Sequence, residues 1–546
     1  MNWERIPQYL LRSTRMSKRE MSIKGHIIMS YDRPGVNNVR SRRCIGCVTG
    51  MLIAFTATLG FSMEPLTYYG FDEESHSAAA HEGMQEIFSG RLFHAGVPVA
   101  SARMMVRALA ATQKDLGYDP DSSEGRFYAS GRFPSPPNRT AGADPGFGLG
   151  ESVFVRDGVQ LVSFNCFGCH AGVVNGQVVA GLGNNHVNQS DPKNARTRGD
   201  NFGPYAVWRF AALLADPANE GMVVAKDKTE LQALLDSVEL PPVDPMPWWL
   251  MKYKTKDYWY ADAGIHDAAS FSINFTIAHS DMNADHGEHV KSVAKALAFA
   301  RETQSPPFPG TLDAGLVQKG ADLFHGRTPP GETKGFTTCK TCHGTYSKKP
   351  SQTDLSEPGS WTVAYNFSHV LRNVKTDESY NATLQKLKPI ADHINKLEVY
   401  FTAQRTPELI PHATVPAKQG YVAPPLVGVW ASAPYFHNGS VPTLDTVLNS
   451  ELRPEIWARD NRDPWAHDLD RVGMLYRSLS RSEFEKSAAG ASGKPFVSQA
   501  AIDHGAIYDT NGLGHGNMGH TFGDRLTAGE RRAVIEFLKS LSGPDM

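Results

Sequence analysis

Two copies of the pattern C-x-x-C-H, CFGCH at 166–170 and CKTCH at 339–343, constrain this 546-residue chain more than any other feature. The remaining cysteines, Cys44 and Cys47, form a third C-x-x-C pair that no histidine follows. Two thiols within one turn and a histidine directly after them are typical of c-type haem attachment. The thiols form thioethers with the haem vinyl groups, and the histidine ligates the iron. The spacing therefore predicts two covalently bound haem c groups.

Three other origins of the pattern are less consistent with the chain. A zinc site would need both cysteine pairs to converge on one metal, and four cysteine ligands would leave the two following histidines without a role. A thioredoxin-like dithiol is not expected twice with histidine directly after it. A chance match would also have to occur twice. The predicted haem-binding residues are therefore Cys166, Cys169, Cys339 and Cys342, with His170 and His343 as iron ligands.

The first 63 residues have the composition of a targeting leader. Three arginines between positions 40 and 43 precede twenty uncharged residues, Cys44 to Met63, and this order is typical of an export signal. Twenty residues at ~1.5 Å each would also cross a bilayer of about 30 Å, so an uncleaved membrane anchor is the alternative. Because haem is attached to such motifs outside the cytoplasm, we expect a periplasmic or secreted protein, either cleaved or membrane-anchored.

The length and the net charge of the chain limit the domain organisation and the partners that can be expected. With 546 residues the chain is too long for one ordinary core. The proline-rich stretch SPPFPG at 305–310 is a candidate boundary. We therefore expect a leader at 1–63, an N-terminal haem domain at 64–304 and a C-terminal haem domain at 311–546. A net charge of −2 gives no reason to expect nucleic acid as a partner.

Helical patterns dominate the sequence outside the leader. They flank the proline-rich boundary, and the clearest one, LTAGERRAVIEFLKSL, begins with a T-x-x-E capping box at Thr527 and Glu530. Strand signals are sparse, and runs rich in proline and glycine at 133–150 and 410–433 indicate long ordered loops. Two helices that cross can wall both edges of a flat porphyrin. The predicted fold is mostly α, with two cytochrome c-like haem lobes, long ordered loops and little β.

The second axial ligand of each iron decides what that haem can do. An iron with two protein ligands mostly carries electrons, whereas a five-coordinate iron can bind O2 or peroxide. For the C-terminal haem His520 is a candidate, because it precedes the terminal helix and neighbouring glycines permit close backbone approach. Met518, His515 and His437 are equally allowed on the residues alone.

Four segments resemble the di-haem c-type cytochromes of the bacterial cytochrome c peroxidase superfamily, and within it the branch that includes the rubber dioxygenases. NCFGCHAGVVNGQVVAGLGN at 165–184 is similar to the family's N-terminal haem site, and PMPWWLMKYK at 245–254 to its tryptophan-lysine segment. The most specific match is APPLVGVWASAPYFHNGSVPTL at 423–444, followed by RPEIW at 453–457. GHTFGDRLTAGERRAVIEFLKSL at 519–541 closes the chain as in family members.

This resemblance implies a division of labour between the two haems. The N-terminal haem, on His170, would be a high-spin centre that activates H2O2 or O2, as in a peroxidase or a dioxygenase. The C-terminal haem, on His343, would be six-coordinate and would relay electrons, which favours His520 as its second ligand. The alternative is a pure electron-transfer cytochrome in which both irons are six-coordinate and His186 or His266 is the additional ligand.

The resemblance also assigns roles between and around the haems. Trp248 or Trp249 would be an electron relay, and an aromatic pair anchoring the lobe interface is the alternative. Where the family often carries a G-R-G-D-like stretch, this chain reads AGIHDAAS, so His266 is a candidate distal base or ligand, or a structural polar residue. Expected partners are a small donor cytochrome or cupredoxin, or an apolar small-molecule substrate, with membrane contact through an N-terminal anchor alone. Calcium bridging the lobes, as in some relatives, is an additional candidate cofactor.

Overall fold

The computed structural model describes eight stretches of the chain, apart from short gaps within three of them. These stretches are 67–104, 133–184, 241–253, 286–327, 338–386, 420–459, 467–488 and 507–544. The predicted leader, His186 and His266 lie outside them. Within the described stretches, no helix combines the length and the apolar character needed to cross a membrane.

The described residues are 36% helical and 20% strand, and the strands form several small sheets. The expectation of a mostly α fold with little β is therefore wrong, because the architecture is mixed. The helices whose bounds are described are α1 (Ala78–Ser89), α2 (Phe167–His170), α3 (His286–Glu302), α4 (Ala314–His325), α5 (Lys340–His343), α6 (Ser379–Lys386), α7 (Leu444–Leu448), α8 (Arg481–Ala488) and α9 (Ala528–Ser540). Short 3-10 helices span Trp248–Tyr253, Val429–Ala431, Ser450–Leu452 and Thr521–Gly523.

The strands are two to six residues long. They are β1 (Thr67–Tyr69), β2 (Val97–Pro98), β3 (Glu151–Arg156), β4 (Val159–Phe164), β5 (Ala171–Val174), β6 (Gln177–Ala180), β7 (Thr345–Lys348), β8 (Trp361–Tyr365), β9 (Leu371–Arg372), β10 (Tyr421–Val422), β11 (Ile456–Arg459), β12 (His467–Asp468), β13 (Gly473–Met474), β14 (Tyr476–Leu479) and β15 (Ile507–Asp509). Three sheets of three strands have the orders β1-β6-β5, β2-β4-β3 and β14-β11-β15, and the pairs β7-β8, β9-β10 and β12-β13 complete the set. Among the strands that the structure describes, all pairings are antiparallel except that of β1 with β6.

Two hairpins close to the first haem motif explain why the β content was underestimated. Asp157 and Gly158 connect β3 to β4, and Asn175 and Gly176 connect β5 to β6, all four with positive φ. Asp-Gly and Asn-Gly between apolar runs are strong signals for two-residue hairpin turns, because both turn residues need positive φ. The signals were present in the sequence, but the strands beside them are too short to stand out by alternation.

Residues 66–546 form one compact unit that contains two close helix crossings. In the first, α1 packs on α3, and a side chain at Gly83 would collide with the main chain at Lys295. In the second, α4 packs on α9, and a side chain at Gly320 would collide with the main chain at Ala533. Each C-x-x-C-H motif lies in the chain between the two helices of one crossing. The predicted boundary at 305–310 between two haem domains stays a prediction.

Helix α9 begins where the sequence indicates. The Thr527 hydroxyl accepts a hydrogen bond from the Glu530 backbone N–H, and the Glu530 carboxylate accepts one from the Thr527 N–H, so the predicted capping box is confirmed. The apolar face of α9 joins a buried cluster that continues through Trp361 to Trp249. The residues on both sides of the proline-rich stretch therefore share one hydrophobic core.

Candidate haem site

The first motif is held by a polar residue directly in front of it. The side-chain oxygen of Asn165 accepts a hydrogen bond from the Phe167 N–H at 2.9 Å, at the start of α2. The side-chain amide of Asn165 donates to the Leu149 carbonyl at 3.0 Å and to the Ser152 hydroxyl at 2.9 Å. Helix α2 has four residues, too few to be stable alone. The loop at 149–152 therefore supplies the anchorage of this motif.

The segment after the first motif returns to the carbonyls of the motif itself. The Gly181 N–H donates to the His170 carbonyl at 2.8 Å, and the Asn184 N–H donates to the Cys169 carbonyl at 2.8 Å. The Asn184 side-chain amide donates to the Gly168 carbonyl at 3.0 Å. The β5–β6 hairpin thus brings the chain back to satisfy the last turn of α2, which would otherwise expose unpaired carbonyls.

The two predicted relay tryptophans contact different parts of the molecule. The indole ring of Trp248 stacks on the His170 ring, with the centroids 4.9 Å apart and the planes at 25°. Trp249 is fully buried, and its Nε1–H donates to the Val427 carbonyl at 2.9 Å. The pair therefore links the first motif to the segment at 427, a geometry that suits a relay and an interface anchor equally.

The second motif contains a histidine whose orientation is set by a distant carbonyl. His343, the last residue of α5, places Nδ1 2.8 Å from the Pro424 carbonyl oxygen. A carbonyl can only accept, so Nδ1 carries the proton, and burial lowers the pKa of His343 so that the ring is neutral. The Nε2 lone pair is then available, which is the usual state of a metal-bound histidine that donates through its other nitrogen.

The rings of His343 and His520 lie next to each other, with centroids 6.1 Å apart and planes at 66°. Two imidazoles that share one metal ion need ring centres about 6 Å apart, because each metal–nitrogen bond is about 2 Å long and each nitrogen is ~1.1 Å from its ring centre. The observed separation fits this requirement. His343 and His520 could therefore hold one haem iron between them, and Cys339 and Cys342 would attach that haem.

His520 is presented by a backbone in the left-handed region, with φ of 47° and ψ of 49°. Its N–H donates to the Val374 carbonyl at 2.8 Å, and Gly519 before it, with φ of 76°, leaves no room for a side chain against the Lys375 main chain. Burial lowers the pKa of His520 to about 3, and His343 and Arg453 act in the same direction. In the described part of the chain its Nδ1 is buried without a hydrogen-bond partner. The imidazole is neutral, as ligation requires.

The other candidates for the second ligand have different surroundings. Met518 is 70% exposed. His515 shares a hydrogen bond with the Asp509 carbonyl at 3.0 Å. His437 stacks on the Tyr421 ring at 4.1 Å between centroids. Of the four candidates, His520 is the one whose ring contacts His343 within the described stretches.

One thiol in each motif, that of Cys166 and that of Cys339, has a raised pKa. Burial raises the pKa of Cys166 and of Cys339 to about 12. Redox-active dithiols and zinc-bound thiolates instead need a lowered thiol pKa. The surroundings of these two cysteines therefore do not suit a dithiol or a thiolate metal site, and they are compatible with thioether attachment. Among the described residues, no group of three or more His, Cys, Asp or Glu side chains forms a metal site, so calcium stays a prediction.

Several residues that shape the site were missed at the level of sequence. The Pro424 carbonyl and the Arg453 side chain, which contacts the main chain around His520, received no role. Both residues lie inside the segments that resemble the di-haem family, 423–444 and 453–457. Their position in these segments was the signal that could have drawn attention to them. The candidates for the distal side of the first haem, His186 and His266, lie outside the described residues.

A haem-attachment motif, a histidine oriented by a carbonyl and a second histidine at bridging distance are features that a c-type cytochrome site combines. Comparison with known families points in the same direction for one segment of the chain. Residues 420–458 match the family described as RoxA-like, cytochrome c-like, and this segment contains Pro424 and Arg453. A cytochrome c-like domain implies haem c as its cofactor.

Two uncharacterized proteins of Sinorhizobium fredii (strain NBRC 101917 / NGR234) are similar to parts of the chain. The protein y4iJ is 31% identical over 137 residues, which cover 23% of this chain and 19% of y4iJ. The protein y4iM is 36% identical over 116 residues, which cover 21% of this chain and 22% of y4iM. The chain thus spans about a fifth of the length of each of these relatives.

Proposed function

We propose that the chain is an exported di-haem c-type oxidoreductase, in which the haem on His170 activates H2O2 or O2 and the haem on His343 relays electrons. The observation that carries this proposal is the 6.1 Å separation between the ring centroids of His343 and His520. If His343 and His520 both hold one iron, that haem would have no place for a small-molecule ligand and would be restricted to electron transfer. The reactive step is therefore assigned to the first motif.

Haem c supplies an iron that exchanges single electrons and, where one axial position is open, binds O2 or peroxide. The protein's part at the second motif is to hold two neutral imidazoles in place: the Pro424 carbonyl accepts from the His343 ring, and the Val374 carbonyl accepts from the His520 backbone N–H. Protein-held ligands need little reorganisation when the charge of the iron changes, which suits an electron-transfer centre.

A continuous route of contacts joins the two motif histidines. The His170 ring stacks on Trp248, which is bonded through the chain to Trp249. Trp249 donates to the Val427 carbonyl, and three residues earlier the Pro424 carbonyl accepts from His343. Two hydrogen bonds, one ring stack and a few covalent links thus connect the two proximal histidines, which supports an electron relay through the tryptophans.

Carbon monoxide tests the division of labour, because it binds ferrous haem that has an open or weakly held axial position. We expect the ferrous protein to change its absorption spectrum by the equivalent of one haem per chain. No change at either haem would indicate the alternative, a pure electron-transfer cytochrome. A change at both would show that His520 does not hold the second iron.

The reaction type follows from which oxidant supports turnover. A dioxygenase would oxidise an apolar, alkene-bearing compound with O2 alone, whereas a peroxidase would consume H2O2 with electrons from a reduced small cytochrome or cupredoxin. Assays with each oxidant and each donor class separate the two. Turnover with neither would reduce the proposal to electron transfer.

Truncating both relay tryptophans should slow electron exchange between the haems. The double variant Trp248→Leu and Trp249→Leu is expected to reduce the interhaem rate by about tenfold or more, equivalent to ~1.4 kcal/mol in the barrier. The measurement is the rate at which the second haem equilibrates after rapid reduction of the first. Trp430→Leu is the matched control, because Trp430 is also buried and donates to a carbonyl, that of Pro306. An unchanged rate with a lowered melting temperature would leave the pair as an interface anchor.

A further inference from the structure

The backbone around His520 is in a conformation that needs external support. His520 has φ of 47°, and two residues that contact its loop or ring, Lys375 and Phe436, have φ of 64° and 70°. Non-glycine residues in the left-handed region are uncommon and persist where the surrounding structure over-determines them.

The Arg453 guanidinium makes three hydrogen bonds to the His520 loop. Nη1 donates to the Asn517 and Gly519 carbonyls, both at 2.7 Å, and Nη2 donates to the His520 carbonyl at 3.2 Å. The three acceptors are main-chain oxygens of residues 517–520. One rigid, planar group therefore fixes the relative positions of three main-chain carbonyls in this loop.

The same guanidinium is tied to the end of α7. Nε donates to the Thr446 carbonyl at 3.0 Å, and the second Nη2 hydrogen donates to the Val447 carbonyl at 3.1 Å. Carbonyls in the last turn of a helix lack partners within the helix. With these two bonds all five N–H donors of Arg453 are used, and the His520 loop is joined to a buried helix.

A stacked aromatic ring completes the arrangement. The Arg453 guanidinium carbon lies 5.0 Å from the centroid of the Phe436 ring, and that ring lies 5.9 Å from the His520 ring centroid. Arg453 thus reaches the imidazole in two ways, through the main chain of the loop and through Phe436. Burial lowers the pKa of Arg453 to about 10, and Asp524 acts in the opposite direction. Because this pKa is still well above 7, the guanidinium stays charged at neutral pH.

We propose that Arg453 is the positioning residue of the C-terminal haem site: it holds the His520 loop so that the imidazole stays opposite His343. It would act through the main chain of the loop and through the Phe436 ring. The inference rests on the proposed ligation of His520 and adds the residue that maintains it. Without the guanidinium, the loop relaxes, His520 leaves its position, and external ligands gain access to the second haem.

The test is the Arg453→Lys variant, which keeps the charge but has three rotatable donors instead of a five-donor fork. We expect the high-spin, carbon monoxide-binding fraction of the C-terminal haem to rise by at least about tenfold, because losing charge-assisted hydrogen bonds shifts a two-state equilibrium by that order. Electron paramagnetic resonance reports the spin state. Hydrogen exchange at the His520 N–H, which should become faster, reports the loop without reference to haem.

Arg139→Lys is the matched control. Like Arg453, Arg139 donates to main-chain carbonyls, those of Gly142 and Glu151 among others, and its guanidinium lies over a phenylalanine ring, 4.4 Å from the Phe88 centroid. Arg139 is buried whereas Arg453 is half-buried, and Arg139 belongs to the first motif's surroundings. Its replacement should leave the low-spin signal of the C-terminal haem unchanged. An equal loss of that signal in both variants would show a general effect of replacing an arginine of this kind and would overturn the proposal.

The outcomes separate this inference from the proposed function. If His520→Ala keeps a low-spin C-terminal haem, the ligand assignment itself is wrong. If His520→Ala becomes high-spin while Arg453→Lys keeps the wild-type signal and exchange rate, the positioning role alone is wrong. Should Arg453→Lys not accumulate with covalent haem, Phe436→Leu carries the test. It removes the stacked ring and should raise the carbon monoxide-binding fraction in the same direction, and an unchanged fraction would contradict the role.

Discussion

The His520→Ala variant is expected to convert the C-terminal haem from low spin to high spin, detected by electron paramagnetic resonance of the oxidised protein. The ring of His520 lies 6.1 Å from that of His343, centroid to centroid, and its pKa is lowered by burial so that the ring is unprotonated. Removing it leaves one axial position to water or to no ligand, and the ligand field weakens. We expect complete loss of the corresponding low-spin signal.

The matched control for this variant is His515→Ala. His515 lies five residues away in the same segment and is buried, but its Nδ1 hydrogen-bonds to the Asp509 carbonyl and its ring packs on Tyr508. This change should leave the low-spin signal intact. A low-spin signal that survives in His520→Ala and disappears in His515→Ala would show that His515, and not His520, is the ligand.

Removing either cysteine pair should lower the covalent haem content from two groups per chain to one. Each pair supplies the two thiols of one attachment site, so Cys166→Ser with Cys169→Ser affects one haem, and Cys339→Ser with Cys342→Ser the other. The pyridine haemochrome spectrum, divided by the protein concentration, measures the content. A wild-type value of one haem per chain would contradict the di-haem proposal, and a value of zero would contradict haem altogether.

The third cysteine pair provides the control for haem content. Cys44→Ser with Cys47→Ser should leave the haem content unchanged, because no histidine follows this pair.

Deleting residues 1–63 should abolish covalent attachment at both motifs if the chain is exported before haem is added. Full haem content in a chain that lacks these residues would contradict the proposed export.

Local patterns predicted the parts of the structure in which all interacting groups are close in sequence. The capping box of α9 depends on Thr527 and Glu530, three residues apart, and it was found where expected. The two hairpin turns depend on Asp157–Gly158 and Asn175–Gly176 and were equally readable, although they were overlooked. The predicted fold class was wrong because short strands carry their signal in the turn residues and not in the alternation of their side chains.

Contacts between distant residues could not be read from the sequence. His343 is oriented by a carbonyl 81 residues later, and Arg453 reaches acceptors more than 60 residues away at Asn517, Gly519 and His520. Main-chain carbonyls are present at every residue, so no side-chain pattern marks those that will accept. On the residues alone the choice among the four candidate ligands had the same limit. The family resemblance favoured His520, and the structure places its ring next to that of His343.

The sequence by itself predicted the chemistry of attachment, because two thiols and a histidine within five residues are spaced to reach one haem edge and its iron. The tertiary structure decided which second imidazole faces His343, how the tryptophans join the two motifs, and that Arg453 supports the His520 loop. These depend on the crossing of α4 with α9 and on the return of the chain at 420–459, which bring residues far apart in sequence to hydrogen-bonding distance.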